Sequence, residues 1–338
     1  YEDNGLKLFG ADGFKLNDEV ENEIQLRMIN GPTLAKSANL GRARRMEDAI
    51  GRYVEFIKQI LPKREDLNGM KVVLDCSNGA SYRVGPEVLF ELGAEAIVIG
   101  DEPNGKNINL DCGAMFPDKM ASTTKLEEAD LGIALDGDAD RVIMCDEKGE
   151  IIDGDQIIAM IAKNWKKKKI LKGGVVGTLM TNLGLENYFK TNNIKFHRAD
   201  VGDRYVKEKM NSLKYNLGGE QSGHIILGNL ATTGDGLLVA LEVLNSLKNN
   251  GKASKVFSVF KKIPQVLENI KVKNKNIVEN KSLKVKINQI DKSLKQEGRL
   301  LVRKSGTENL VRIMVESSDK KLIKHTLGEV KKLILNYT

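Results

Sequence analysis

The chain is 338 residues long, more than one hydrophobic core ordinarily serves and enough for roughly two to four domains. An apolar fraction of 41% and a charged fraction of 29% are those of a globular protein, and no apolar run approaches the ~20 residues of a membrane-spanning helix. The net charge of +7 comes from scattered lysines, and the one dense run, Lys166 to Lys169, has no interleaved aromatics to stack on bases, so neither a nucleic acid nor a membrane is an expected partner.

Tyr1 opens the chain with no initiator methionine, basic segment or apolar signal core, so the chain is not expected to be a whole translated product with a signal peptide. Further on, "GRARRMEDAIGRYVEFIKQIL" has helical spacing in its apolar residues and predicts a connecting helix. From Lys71, "KVVLDCSNGA", "YRVGPEVLFELG" and "AEAIVIG" read as strand, turn, helix and strand, a βαβ unit that implies a parallel sheet with a right-handed crossover. Leu131 to Leu135 and Val142 to Cys145 predict two strands around an acidic loop, and "DGDQIIAMIAKNW" predicts an N-capped helix opening a new domain.

The βαβ grammar returns from Gly174 in "GVVGTLMTN", "LGLENYFKTNN" and "IKFHRADVGDRYV", which predicts a structural repeat of diverged sequence. Lys248 to Pro264 is rich in Lys, Asn and Ser. Beyond it come the shorter strand patterns "VLENIKVK", "RLLVRKSG" and "VRIMVES", closed by an amphipathic helix from Asp319 to Leu335. The fold class expected is α/β, with repeated mixed or parallel-sheet α/β domains and a smaller C-terminal α+β domain. The three cysteines, Cys76, Cys112 and Cys145, have no CxxC spacing; they argue against a disulfide framework or zinc knuckle and for a reducing compartment such as the cytoplasm.

Three segments carry candidate chemistry. In an extended loop Asp136, Asp138 and Asp140 face one way, and three such carboxylates repel one another unless a hard divalent cation joins them. Calcium is a rival, because Glu147 completes an EF-hand spacing, but Arg141 stands where that loop needs Gly and the flanks read as strands. Mg²⁺ fits better, since it needs few carboxylates and shares its shell with phosphate. Arg141 either holds a phosphoryl oxygen or balances the aspartates.

The second segment, "GGEQSGH", puts Glu220, Ser222 and His224 at alternate positions among glycines, a polar set suited to sugar hydroxyls. It lacks the G-x-S-x-G order of a serine hydrolase. In the third, "RKSGTENLVR", Arg303, Ser305, Gly306, Thr307 and Arg312 offer amides, hydroxyls and guanidiniums as a phosphate cradle. Glu308 would orient an arginine there. His197 and His325 are lone histidines with core or surface roles. The three segments together point to a sugar phosphate.

This combination resembles the α-D-phosphohexomutase superfamily, and in it the bacterial phosphoglucosamine mutases. "DGDADR" is similar to the family's metal loop, "GEQSGH" to its sugar loop and "RKSGTENLVR" to its phosphate loop; "GDEPNGKNIN", "VGDRYV" and "TTGDG" carry the closer likeness. The resemblance implies a four-domain, heart-shaped enzyme that interconverts glucosamine 6-phosphate and glucosamine 1-phosphate through a phosphoserine and a 1,6-bisphosphate, for amino-sugar and cell-wall precursor synthesis. One Mg²⁺ on Asp136, Asp138 and Asp140 would take an oxygen of the phosphoserine while Arg141 steadies the phosphoryl group. Glu220 and Ser222, with His224 nearby, would read the sugar, and Arg303, Ser305, Gly306, Thr307 and Arg312 would hold the other phosphate. The bisphosphate turns over midway, so the last domain is expected to move.

The implied layout is a remnant of the nucleophile domain over residues 1–40, a metal-binding domain over 41–153, a sugar-binding domain over 154–260 and a phosphate-binding domain over 261–338. "YEDNGLKLFGADGFKL" resembles the text after the family's catalytic "SASHNP", which implies a phosphoserine before Tyr1 and no mutase turnover by this chain alone. Departures from the family pattern are Ala139 for glycine, Lys304 for proline and Phe116 where a histidine is frequent. A homodimer is compatible with the sequence, which shows no interface. The alternatives are a phosphoglucomutase or phosphomannomutase, and a noncatalytic sugar-phosphate-binding fragment.

Overall fold

The computed structural model describes residues 1–2, 7–31, 33–42, 45–62, 65–294, 297–305 and 308–337. Ahead of the first sheet lie helices α1 (Asp18–Asn30) and α2 (Ala49–Lys58). The Asn17 side chain caps α1 at Val20 N, and the helix stops at Gly31 with φ +83°, a left-handed residue that glycine takes without strain. Leu26, Met28 and Ile29 stay exposed on α1. Val54 and Ile57 of α2 are buried in the core and Tyr53 packs against it, and the helix takes just part of the stretch whose spacing predicts one.

The first sheet follows in chain order as β1 (Lys71–Asp75), α3 (Val84–Glu91), β2 (Glu95–Ile99), α4 (Asp118–Leu126), β3 (Leu131–Leu135), β4 (Val142–Asp146) and β5 (Ile151–Ile152). Its strand order is β2-β1-β3-β4-β5. The pairs β1–β2 and β1–β3 are parallel, whereas β3–β4 and β4–β5 are antiparallel. Strands β3 and β4 are buried at every position, which accounts for their continuous apolar runs.

A capping box of Asp153 and Gln156 starts α5 (Gly154–Lys167), as the sequence predicts. Next come β6 (Gly174–Thr178), α6 (Leu183–Thr191), β7 (Lys195–Ala199), α7 (Asp203–Leu213), β8 (Leu217–Gly219), β9 (Ile225–Leu227), α8 (Gly236–Asn250) and the short α9 (Ala253–Val256). The second sheet has the order β7-β6-β8-β9, with β6 parallel to β7 and β8 and with β8 antiparallel to β9. It repeats the first sheet's parallel strands and antiparallel return. The last unit is an antiparallel sheet, β10 (Gln265–Lys271), β11 (Gly298–Lys304) and β12 (Leu310–Ser317), with β12 central. Helix α11 (Lys320–Leu335) covers it together with α10 (Lys281–Leu294), an element the sequence pattern did not single out.

The two α/β units share one core. Val72, Leu74, Ile133 and Leu135 of the first sheet join Ile157, Ile161 and Trp165 of α5, Val175 and Leu217 of the second sheet, and Leu237, Leu241 and Leu244 of α8 in a continuous buried cluster. Each large side chain so buried contributes about 1.5–3 kcal/mol, which welds the pair. The C-terminal unit has its own core of Ile270, Ile290, Val311, Ile313, Val315, Ile323 and Ile334.

A polar latch joins the C-terminal unit to the second sheet's loops. Arg299 Nε donates to Glu316 Oε2 at 2.7 Å, and its other nitrogens donate to Leu179 O at 2.7 Å and Thr181 O at 3.2 Å. Leu183 N donates to Glu316 Oε1 at 3.1 Å, while the Asn182 amide exchanges two hydrogen bonds with the Ile263 backbone. Glu316 is fully buried, so losing its cation would leave an unpaired charge and cost about 3–5 kcal/mol. Arg299→Met is therefore expected to speed tryptic cleavage at Lys261 and Lys262, and Arg299→Met/Glu316→Leu, which relieves the unpaired charge but still lacks the latch, to stay faster than the parent; unchanged cleavage would show that the latch does not seat the unit.

Asp155, beside this latch, is fully buried and accepts from Asn182 N at 2.8 Å. Burial, with Asp153 adding to it, pushes its carboxyl up to about 7. A pKa raised on folding means that the native state holds the proton more tightly, so the stability present below the unfolded value is lost as pH rises through about 7. In urea unfolding, the advantage of Asp155→Asn over the parent is expected to grow by up to about 1.4 kcal/mol per pH unit from ~4 to ~7 and then level off. A gap independent of pH would place that proton elsewhere.

Candidate active site

The metal and sugar segments occupy the same position in the two repeated sheets. Asp136 to Arg141 is the turn between β3 and β4, which pair Leu135↔Val142, and Glu220 to His224 is the turn between β8 and β9, which pair Gly219↔Ile225. The hairpins meet edge to edge. Val142 N donates to Gly223 O at 3.1 Å, Arg141 and His224 form an isolated β-bridge, and His224 Nδ1 lies 3.6 Å from Asp140 Oδ2.

One ligand atom from each of Asp136, Asp138 and Asp140 falls within a 4.8 Å cluster. Asp136 is buried, with Arg141 N at 3.0 Å from Oδ1 and Arg141 Nε at 3.0 Å from Oδ2. Burial, then Asp140 and Asp138, push the Asp136 carboxyl up to about 6. Burial also works to raise Asp140, but the hydrogen bonds and charges of His224 and Lys7 outweigh it and hold that carboxyl well below the usual range.

Lys7 Nζ reaches Asp138, and it donates to Asp140 Oδ2 at 2.6 Å. Burial lowers the pKa of this ammonium, yet the two aspartates win and raise it. An ammonium thus stands where the three carboxylates demand positive charge, while Asp140 Oδ1 is buried without a hydrogen bond. Few hard oxygens, converging, with one orphaned, fit Mg²⁺. The EF-hand alternative fails on geometry, because Glu147 turns away to accept from Ser254 N at 2.9 Å.

In the sugar hairpin, Glu220 Oε1 accepts from Gly202 N at 3.0 Å, Ser222 is exposed, and His224 is buried with Nε2 unpartnered. His224 packs against Gly234 of "TTGDG", where an added Cβ would lie 2.5 Å from Nε2. It faces Asp140 rather than the open loop. Gly236 N, at the start of α8, donates to Ala139 O at 2.8 Å. Ala139 has φ +59°, so the cost of replacing the family's glycine lies in the left-handed backbone as well as in one methyl of space.

Arg303 and Arg312 stand directly opposite one another on β11 and β12, each with a buried Nε that has no hydrogen-bond partner. Burial, then the charge of Arg312, lowers the Arg303 pKa. Like charges in cross-strand register oppose folding, and an anion between them would relieve it. Ser305 is buried, whereas Gly306 and Thr307 lie outside the described residues. Among the described residues no hydrogen bond or ion pair joins this arginine pair to either hairpin. Lys304 instead pairs with Glu279 at 2.5 Å, and Phe116 is exposed.

Residues 7–16, part of the stretch 1–40 expected as a remnant of the nucleophile domain, enter none of the core clusters. They are nevertheless held beside the site by polar contacts. Lys15 pairs with Asp203, Thr232 Oγ1 donates to Gly13 O at 2.7 Å, and Arg204 donates to Leu16 O at 2.5 Å. Lys15, Asp203, Arg204 and Thr232 line a cavity of about 360 Å³ together with His224. Lys7, Lys15, Asp203 and Arg204 were not singled out in the sequence; the nearest signal was the unexplained "VGDRYV" motif.

Models of the phosphoglucomutase/phosphomannomutase family match this chain in three parts: alpha/beta/alpha domain II over residues 51–149, alpha/beta/alpha domain III over 153–263 and the C-terminal domain over 267–333. A phosphoglucosamine mutase of Pelagibacter ubique is 56% identical over 329 residues, 97% of this chain and 74% of that protein. One from Parvibaculum lavamentivorans is 50% identical over 338 residues, 99% of this chain and 75% of that protein. Among solved structures, a phosphoglucomutase/phosphomannomutase family protein of Burkholderia thailandensis superposes with TM-score 0.79 at 18% identity, covering 95% of this chain and 71% of its own. An N-acetylphosphoglucosamine mutase of Aspergillus fumigatus, solved with GlcNAc-6P and magnesium, gives 0.69 at 19% identity over 84% of this chain and 69% of its own. The repeated α/β units, the facing hairpins and these likenesses agree: the chain belongs to the phosphoglucosamine mutases of the phosphohexomutase family.

Proposed function

We propose that this chain carries the cation-holding, sugar-reading and phosphate-holding parts of a mutase that interconverts glucosamine 6-phosphate and glucosamine 1-phosphate through a phosphoserine and a 1,6-bisphosphate. The observation that supports it most is the meeting of two hairpins, with Asp140 of one 3.6 Å from His224 of the other. A seat for a cation then borders a polar, glycine-rich surface for a polyol, the two features that phosphoryl transfer to a sugar needs side by side.

Asp136, Asp138 and Asp140 would hold Mg²⁺, which when bound neutralises charge on phosphoryl oxygens. Arg141, anchored on Asp136, would present its remaining donors to the phosphoryl group. Glu220, fixed at one oxygen by Gly202 N, keeps the other for a sugar hydroxyl, and exposed Ser222 adds a second polar contact. His224 would steady Asp140. Arg303, Ser305, Gly306, Thr307 and Arg312 would grip the phosphate that is not being transferred.

Calorimetric titration in Mg²⁺ tests the substrate class and needs no turnover. Glucosamine 1-phosphate is expected to bind more tightly than glucose 1-phosphate; equal binding or a preference for glucose would sink the amino-sugar reading. The arginine pair gives a second test. Without ligand, Arg312→Met removes the like-charge pair and is expected to raise stability by about 0.5 kcal/mol, while affinity for the sugar phosphate falls tenfold or more. Affinity unchanged in that variant would remove the pair from the phosphate site.

A further inference from the structure

The segment "GDEPNGKNIN" holds no ligand-bearing side chain of the proposed site, yet its residues are tied together and to the loop after β1. Asn104 N donates to Asn107 Oδ1 at 2.9 Å, and Asn107 Nδ2 donates to Glu102 O at 2.9 Å. Asn109 N donates to Ser77 O at 2.9 Å, and Ser77 Oγ donates to Asn109 Oδ1 at 2.6 Å. Asn78 Nδ2 reaches Asn107 O at 3.3 Å. Ser77, Asn78 and Asn109 all have left-handed backbones, with φ of +59°, +49° and +56°, a conformation that asparagine tolerates but that a serine adopts only when its surroundings enforce it.

The enforcement comes from below. Asp75 is fully buried, and its two oxygens accept from Ser77 N at 2.9 Å and Gly113 N at 2.8 Å. What the two loops enclose is Gly137, the residue between the first two aspartates. Gly137 O accepts from Ala80 N at 2.8 Å, and a Cβ on Gly79 would lie 2.2 Å from that oxygen. On its other side, a Cβ on Gly137 would lie 2.7 Å from Ile108 Cδ1 and 2.8 Å from Asn109 Nδ2.

We propose that Asp75–Ala80 and 103–109 form a clamp on Gly137 that sets the separation of Asp136 and Asp138, which makes Asn109 a positioning residue for the cation and not a ligand. The inference rests on the Mg²⁺ reading. Carboxylates brought together repel, and a turn held only by its own hydrogen bonds relaxes by splaying apart. A backbone gripped from both faces keeps the carboxylates at binding distance before the ion arrives. Partners bonded directly to a metal ligand are worth about 10- to 100-fold in metal affinity, and a clamp one residue removed belongs at the low end of that range.

The test titrates the full chain with Mn²⁺ as the probe, read by electron paramagnetic resonance, alongside thermal unfolding. Asn109→Gly keeps the left-handed backbone free of strain and removes only the side chain. Its unfolding midpoint is expected to stay within a few degrees of the parent while the Mn²⁺ Kd weakens about tenfold. Should that variant fail to fold, Asn107→Ala, which loosens the loop without touching Gly137, is expected to weaken Mn²⁺ in the same direction. A parent chain that takes up no Mn²⁺ overturns the metal reading and the clamp with it. Mn²⁺ uptake by the parent, with variant and parent Kd within twofold, overturns the clamp alone, whatever the variant's midpoint.

Discussion

Mutual repulsion among Asp136, Asp138 and Asp140 is the constraint on which the rest of the site depends. Two like charges ~4 Å apart repel by about 4 kcal/mol at the effective dielectric of a protein surface, and three ligand atoms share a 4.8 Å cluster here. No isolated turn holds such a group together. The hairpin is built on two fully buried strands, cations approach from Lys7 and Arg141, and backbone contacts from the β1 loop and from the start of α8 fix Gly137 and Ala139. Rigid apolar packing supplies the foundation and directional hydrogen bonds supply the aim.

A different balance governs the C-terminal unit. The two α/β units are fused by a continuous apolar cluster, whose close packing resists displacement of one unit against the other. The last unit has its own core and is seated by hydrogen bonds from Arg299 to Leu179 O and Thr181 O, from Leu183 N to Glu316 and between Asn182 and Ile263. Polar contacts of this kind are replaceable by water at modest net cost. Rigidity is therefore concentrated where the aspartates and Glu220 lie, and the arginine pair sits on the element with the exchangeable contacts.

Much of this was legible in residue order, because local rules govern it. Continuous apolar runs marked β3 and β4, the Asp153 cap marked α5, and alternate aspartates marked the convergent carboxylate cluster. What escaped the sequence depends on long-range geometry. The Lys7 contact with Asp138 spans 131 residues, and nothing near either residue announces it. The turn of His224 toward Asp140 follows from one sheet meeting another, and the left-handed backbone of Ala139 is invisible in the identity of an alanine. Helix α10 was passed over, although its buried Leu283, Ile290 and Leu294 keep helical spacing, because four lysines and other polar residues dilute the apolar signal.

The repeated sheets have an evolutionary consequence. Under the proposed function one hairpin position serves twice, once for a cation and once for a polyol, and the two copies touch through Val142 and Gly223. Their chemistry has diverged completely while their placement has not, so the copies constrain each other's length. A residue inserted between Glu220 and His224 would push Gly223 off Val142 and displace Asp140 in the neighbouring copy. Exposed turn positions such as Asp138 and Ser222 can change identity, which alters the ligand taken, but Gly137 and Gly223 have no room for a side chain, and a change in the length of either turn acts on both copies.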